Sequence, residues 1–298
     1  MQSILLTIDV EDWFQVENLR PWFPPSGWDH QQLRIEKNTR RLLDMFDSFD
    51  FPVRATFFTL GWIAERCREL VHEIADNGHE VASHGYSHLL CAQMSRKHLV
   101  EDLAKSKCML EDIIGAEVTG YRAPCFSIDN HILDLIEKAG YAYDSSYNSF
   151  SMHGRYGKIS NNGYRKSGIA LQLKSSLFEL PVSNLEVAGK IMPWGGGGYF
   201  RFCPSRLFRA GIQRILNKTG AYVFYLHPWE IDPDQPRVKA YGKMGSNLWR
   251  HYINLDKTFT RLQNLIKKFN NCNFITCRDY INRVSQKSDL KIVRLRKT

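Results

Sequence analysis

"VRATFFTLGWIAERCRELVHEIADNGHEVASHGYSH", residues 53–88, runs through a strand, a helix and a second strand before ending on two histidines. Val53 to Leu60 is a short run rich in aromatic and β-branched residues. Trp62 to Asn77 carries apolar residues at helical spacing, and His79 to Ser83 reads as another short strand. That alternation argues for a mainly parallel sheet with helices outside it.

The same alternation extends both ways. Upstream, Ser3 to Asp9 reads as the first strand and Gln31 to Phe49 as a helix. Met1 to Asp9 has no basic stretch and no long apolar core, so a strand is expected there rather than a leader. Downstream, Ser95 is placed to cap a helix running to about Ile114, because its hydroxyl can accept from a free amide of the first turn. Strands follow at Val118–Arg122 and Tyr141–Asp144, around a helix from Asp129 to Ala139 that Gly140 ends. Asn148 to Gly168 is polar and rich in Gly and Ser, and reads as a long loop or lid. Regular elements resume at Leu177–Val182, Pro204–Lys218, Ala221–Leu226, Asp256–Asn270 and Asn273–Thr276. No linker divides the chain, so residues 1–285 are expected to form one domain, with 286–298 as a basic tail.

At 298 residues and 43% hydrophobic, the chain can bury a sizeable core. No run approaches the roughly 20 apolar residues of a membrane span. Seven cysteines, an odd number without CxxC spacing, indicate neither a zinc ribbon nor a disulfide framework; reduced thiols in the cytoplasm are expected. The formal charge is +9, and the basic tail could reach anionic lipid at the inner face of the membrane. No arrangement of basic and aromatic residues matches a nucleic-acid-binding motif.

Four polar clusters fall at the C-terminal ends of expected strands: Asp9-Val-Glu11-Asp12, His84-Gly-Tyr-Ser-His88, Arg122-Ala-Pro124-Cys125 and His227-Pro-Trp229-Glu230. In barrels of parallel strands, that end gathers the active site. If the chain turns helically after His84, His88 lies one turn on and faces the same way. Two imidazoles and a carboxylate can hold Zn²⁺, Co²⁺ or another divalent ion with positions left open. Three clustered acids ending an apolar strand would repel one another unless a cation sits there. A free carboxylate as base and a histidine as acid would complete the parts for hydrolysing an amide or ester.

These motifs resemble those of the polysaccharide deacetylases of the NodB-homology type, carbohydrate esterase family 4. Thr7-Ile-Asp9-Val-Glu11-Asp12 is similar to that family's Thr-Phe-Asp-Asp motif, and Ala55-Thr-Phe-Phe58 with Gly61 to its second strand. His84 and His88 match its metal histidines, Arg122-Ala-Pro124 its Arg-x-Pro motif and Leu226-His227 its Leu-x-His motif. Asp-Val-Glu-Asp-Trp-Phe, Gly-Gly-Gly-Tyr-Phe-Arg and His-Pro-Trp-Glu resemble phrases of a subgroup associated with exopolysaccharide and PEP-CTERM loci. The resemblance implies a distorted (β/α)₇ barrel acting on an acetylated sugar or glycan, N-acetyl before O-acetyl. It makes Asp9 the general base, His227 the general acid, Arg122 the group orienting Asp9, and the Cys125 amide an oxyanion donor.

Two departures stand out. Strand alternation favours Glu11 as the carboxylate ligand, while a turn after Val10 would bring in Asp12. Asp144 lacks the family's tryptophan context, so a partnership with Arg122 or His227 stands level with a turn-capping role. Trp13, Trp194 and Trp229 could stack on sugars or simply pack, Trp229 being best placed; Glu230 is either a partner of His227 or a surface residue. Gly195–Gly198 reads as a turn letting backbone approach a strand or a ligand, not as a phosphate loop, since no Gly-Lys-Ser/Thr follows. Two other functions remain open: hydrolysis of a small cyclic amide, or glycan binding without turnover.

Overall fold

The computed structural model describes residues 1–150, 156–159, 164–173, 176–238, 245–286 and 291–293. Its strands are β1 (Ser3–Val10), β2 (Ala55–Thr59), β3 (Glu80–Ser83), β4 (Gly120–Tyr121), β5 (Tyr143–Asp144), β6 (Tyr164–Ser167), β7 (Ala170–Gln172), β8 (Phe178–Glu179), β9 (Asn184–Val187), β10 (Lys190–Pro193), β11 (Ala221–Leu226), β12 (Asn273–Phe274) and β13 (Lys291–Val293). The helices are α1 (Ile35–Asp47), α2 (Gly61–Arg66), α3 (Arg68–Asp76), α4 (Arg96–Ile114), α5 (Asn130–Lys138), α6 (Gly197–Phe202), α7 (Ser205–Thr219), α8 (Gly245–Tyr252), α9 (Leu255–Lys268) and α10 (Cys277–Ser285).

A run of parallel strands in the order β11-β1-β2-β3-β4-β5-β8 forms a curled sheet, in keeping with the expected distorted barrel, and β12 adds to β1, also parallel, off that run. From β8 the sheet continues antiparallel through β7, β6 and β13. All eight residues of β1 are buried, as a central strand covered on both faces requires. One edge of β1 pairs with β11; the other pairs with β12 at Ser3–Ile4 and with β2 from Leu6 to Val10. Because β5 pairs with β8, the sheet runs unbroken from the first half of the chain into the second. The fold is therefore a single α/β domain.

The two expected caps form: Ser95 accepts from the His98 amide at the start of α4, and Gly140 (φ 84°) follows the end of α5 in the left-handed region. Asp129, accepting from the Ile132 amide at α5, and Gly115, left-handed at the end of α4, add two more. The helix read over Trp62–Asn77 is instead two, because Cys67 (φ −126°, ψ 51°) leaves helical geometry between α2 and α3. The polar stretch Asn148–Gly168 is not loop throughout: Tyr164–Ser167 pairs with β7 as a hairpin strand, while 151–155 and 160–163 lie outside the described residues. In the tail, Lys291–Val293 adds β13 to β6; residues 287–290 and 294–298 lie outside the described residues. No helix among the described residues is long and apolar enough to cross a membrane.

Candidate active site and metal centre

Thr7, Asp9 and Glu11 leave β1 on one side of the sheet. The Thr7 hydroxyl donates to Phe224 O of β11 at 2.8 Å, and the Glu11 amide turns back onto Asp9 O at 2.9 Å. Both Asp9 and Glu11 then face a cleft also lined by His84, His88, His227 and Trp229.

Glu11, His84 and His88 are buried, and each presents a ligand atom, all within 4.8 Å of one another. His84 Nδ1 lies 2.8 Å from Arg122 O, an arrangement that places its proton there and leaves Nε2 as a lone pair. His88 Nε2 stands 3.1 Å from Glu11 Oε2, yet that buried oxygen accepts no hydrogen bond among the described residues. Two imidazoles and a carboxylate oxygen left unsatisfied in the interior are a donor set that fits a divalent cation. Burial lowers the pKa of both histidines, that of His88 to about 4, and so keeps them neutral as ligands must be. Burial alone would raise the Glu11 pKa, but His88 and His227 bring it down to about 2.

The histidine pair is not delivered by a helical turn. Gly85 (φ 73°) and His88 (φ 51°) take left-handed backbone, and the Asp102 carboxylate of α4 pins the bend by accepting from the Tyr86 amide (2.9 Å), the Ser87 amide (3.1 Å) and the Ser87 hydroxyl (2.7 Å). A left-handed non-glycine residue is strained, and here it presents a candidate ligand.

Asp12 lies outside this group. Its carboxylate accepts from the amides of Trp13 (2.8 Å), Arg34 (2.7 Å) and Ile35 (3.0 Å), which anchors the start of α1 and turns the side chain away from the histidines. Burial raises its pKa to about 6 despite those bonds.

Arg122 is wholly buried, and every nitrogen of its guanidinium is committed. Nη1 donates to Asp9 Oδ1 (2.6 Å) and Thr7 Oγ1 (2.7 Å), Nε to Ser145 O (2.9 Å) and Nη2 to Ser145 Oγ (2.9 Å). Asp144 is not part of the cleft. It accepts from the Ser146 amide and hydroxyl beside a second buried acid, Glu179, and burial raises the pKa of both. Its role is the strand-end cap, with Ser145 rather than Asp144 touching Arg122. Cys125 lines the cleft at φ 53°, followed by Phe126 at φ 59°.

His227 sits at the end of β11 between two acids. Nε2 is 2.9 Å from Glu11 Oε1 and 3.8 Å from Asp9 Oδ2; Nδ1 is 2.7 Å from Glu230 Oε1. Burial would lower the His227 pKa, but Glu11 and Glu230 raise it well above the usual value. Glu230 is thus a partner of His227 and not a surface residue. Its other oxygen accepts from Arg201 Nε at 2.6 Å, and Arg201 also donates to His251 O and Ile253 O. Trp229 stacks between His227 (5.2 Å) and His251 (4.4 Å). Trp13 and Trp194 are core: Trp13 packs on Phe14 and Phe23, and Trp194 stacks on Phe208. His251 escapes a reading of the sequence, and so does the role of Arg201, although Arg201 ends the Gly-Gly-Gly-Tyr-Phe-Arg phrase and the His227-x-x-Glu230 capping box was a local signal for the pair they support.

Three of the four glycines at 195–198 serve packing. A Cβ on Gly195 would meet Val182 Cγ1 at 2.3 Å, one on Gly196 would meet Tyr225 O at 2.0 Å, and one on Gly197 the Tyr225 ring at 2.9 Å. What the backbone approaches closely is therefore mainly strand β11. Gly198 has room for a side chain, its nearest neighbour being Arg201 Nη2 at 3.9 Å, and it lines the cleft.

Comparison with known proteins gives matches over both halves. Residues 26–143 match the polysaccharide deacetylase family, and residues 145–282 match a domain of unknown function, DUF3473. Asp9 and Glu11 precede both segments. The chain is 38% identical over 113 residues to a peptidoglycan deacetylase of Helicobacter pylori, covering 37% of this chain and 38% of that one. It is 28% identical over 103 residues to a peptidoglycan-N-acetylglucosamine deacetylase of Bacillus cereus, covering 35% and 47%. The chain thus spans less than half the length of these relatives. Among solved structures, a candidate polysaccharide deacetylase from Mycobacterium smegmatis superposes with a TM-score of 0.65 at 20% identity, covering 99% of this chain and 94% of that one. The allantoinase PuuE superposes at 0.59 and 13% identity, covering 96% and 91%. These two likenesses establish a NodB-like fold.

Proposed function

Given a polysaccharide deacetylase region over residues 26–143 on a NodB-like fold, we propose that this protein is a metal-dependent deacetylase removing acetyl groups, N-acetyl in preference to O-acetyl, from a sugar or glycan of surface polysaccharide synthesis. The observation that carries the reading is the buried Glu11–His84–His88 group beside an arginine-held Asp9 and an acid-flanked His227. A divalent cation held by Glu11, His84 and His88, Zn²⁺ by its liking for nitrogen ligands or else Co²⁺, would polarise the acetyl carbonyl and ease deprotonation of the attacking water.

The chain's own residues supply the rest. Asp9 takes the proton of the attacking water through Oδ2, while its Oδ1 is held by Arg122. His227 Nε2, on the far side of Glu11, gives a proton to the departing nitrogen or oxygen, and Glu230 at Nδ1 fixes the ring for that transfer. The turn at Cys125 forms the cleft wall where an amide donor would meet the developing oxyanion. Trp229 presents an apolar face beside His227. Residues 1–285 are the working domain, placed in the cytoplasm at the inner face of the membrane, with residues 286–298 as a basic contact to lipid.

The test is acetate release from a panel of acetylated amino-sugars and oligosaccharides, with metal-stripped protein before and after adding Zn²⁺ or Co²⁺, alongside His84→Ala. Turnover restored by metal in the wild type alone supports the reading. Turnover of hydantoin-like amides in place of acetylated sugars would transfer the site to cyclic-amide hydrolysis, and no metal binding with no turnover would leave a glycan-binding protein.

A further inference from the structure

Two arginines line the cleft, and their circumstances differ. Arg201 is buried and committed to Glu230 and two backbone carbonyls. Arg250, on the last turn of α8, is exposed, and among the described residues no carboxylate lies within ion-pair distance of it. Its guanidinium carbon sits 5.4 Å from the centroid of the Tyr199 ring, and that ring is braced edge-on by Phe150 at 6.2 Å. An arginine lying over an aromatic ring is fixed in position while its N–H edge stays available for a planar or tetrahedral anion.

The surroundings sharpen the contrast. The rest of the cleft is acidic, with Asp9, Glu11, Glu17 and Glu230. Yet Asp9 is taken by Arg122 (2.6 Å), Glu230 by Arg201 (2.6 Å), and Glu17, on the turn that α8 packs beside, by Arg20 (2.6 Å). Each lining acid outside the metal group thus has its own cation, and of the two lining arginines Arg250 is the one without an ion-pair partner among the described residues.

We propose that Arg250, seated on Tyr199, is an anion subsite that selects substrates carrying a carboxylate or phosphate group near the acetylated sugar. This rests on the deacetylase reading for what the site does, but not for what Arg250 binds. With the lining acids paired inside the protein, a ligand that presents its anion at the wall meets the Arg250 guanidinium, which has no ion-pair partner among the described residues. A neutral glycan gains nothing from it.

The experiment is equilibrium binding to metal-stripped protein at low and high salt, so that turnover plays no part. The probes are N-acetylglucosamine, its 1-phosphate, and N-acetylmuramic acid, whose carboxylate is the second anion source. Wild type is expected to bind at least one charged probe tenfold or more tightly than the neutral one, a preference that shrinks with salt. Arg250→Gln should lower that charged-to-neutral ratio about tenfold, Arg250→Lys should retain part of it, and Arg250→Glu should reverse it. Which charged probe gains more tells carboxylate from phosphate. Equal binding of neutral and charged probes by the wild type, or an Arg250→Gln ratio like the wild type's, overturns the proposal. So does a lowered melting temperature with an unchanged ratio, the mark of an arginine serving only the helix C-terminus. A protein that keeps the charge preference but releases no acetate would refute the deacetylase reading and leave this one standing.

Discussion

Replacing Asp12 with alanine should destabilise the protein yet leave its gain from metal intact, whereas Glu11→Gln should abolish that gain. The Asp12 carboxylate is 1% exposed and accepts three backbone amides, from Trp13, Arg34 and Ile35. Stranding buried donors costs about 1–3 kcal/mol each, reduced where water can reach the part-buried Arg34 amide, so a loss of about 3–5 kcal/mol is expected. At about 2–4 °C per kcal/mol for a domain approaching this size, the melting temperature should fall by roughly 6–20 °C. The readout is the increment on adding metal to stripped protein. A cation at one hundred times its dissociation constant stabilises by about 2.7 kcal/mol, or roughly 5–10 °C on the same scale. Asp12→Ala should show that increment from a lower starting point. Glu11→Gln, which keeps the shape but removes the sole anionic ligand, should not show it. Calorimetric titration with Zn²⁺ or Co²⁺ at low temperature checks the affinities directly. If Asp12→Ala loses the increment while Glu11→Gln keeps it, the turn after Val10 carries a different ligand, and the geometry argued here is wrong.

Removing Arg122 leaves Asp9 a buried charge without its partner, so Arg122→Gln should cost about 3–5 kcal/mol, seen as a lower urea midpoint, together with at least a hundredfold loss of turnover. Glu230→Gln should lower turnover about 10- to 100-fold with little change in metal affinity, since Glu230 holds the His227 ring and none of the three candidate ligands; an equal loss of metal would contradict the assignment. His79 lies between Phe46 and Phe57, and burial lowers its pKa to about 4. The unfolded chain takes up that proton near pH 6.5 while the folded chain resists it, so stability is full above 6.5 and falls by about 3 kcal/mol as the pH drops towards 4. His79→Asn should flatten that decline in urea melts at pH 7 and pH 4.5, and an unaltered slope would show that other groups carry it.

What could be read from residues 53–88 was local: strand, helix and strand are set by patterns a few residues long, and those elements form, the helix broken in two at Cys67. The site's members were legible for a related reason, because polar residues ending apolar strands need a purpose. What failed depended on distant partners. The bend that joins His84 to His88 is held by Asp102, on helix α4, and so no turn preference within the motif reveals it. The choice between Glu11 and Asp12 is decided by amides at Arg34 and Ile35, more than twenty residues on. Arg201, which completes the chain to His227 through Glu230, ends the phrase Gly-Gly-Gly-Tyr-Phe-Arg, but nothing local to that phrase shows that its partner is Glu230, nearly thirty residues on. Arg165 and Lys166 masked β6 as a loop, since a strand whose middle residues reach solvent tolerates charges that a strand buried on both faces excludes.

The sheet order explains how these pieces make one site. With β1 between β11 and β2, the acids at its end face His227 on one side and, through β2, the histidines after β3 on the other. All three candidate ligands come from the first 88 residues, and the proposed proton donor is residue 227, beyond the point where one family match ends and the other begins. On the proposed reading, cation holding and proton donation are built by different parts of the chain and meet only when β11 docks on β1. A change at His227 removes the proposed donor and, among the candidate ligands, the contact to Glu11, whereas a change that loosens the β1–β11 pairing disturbs the geometry of both.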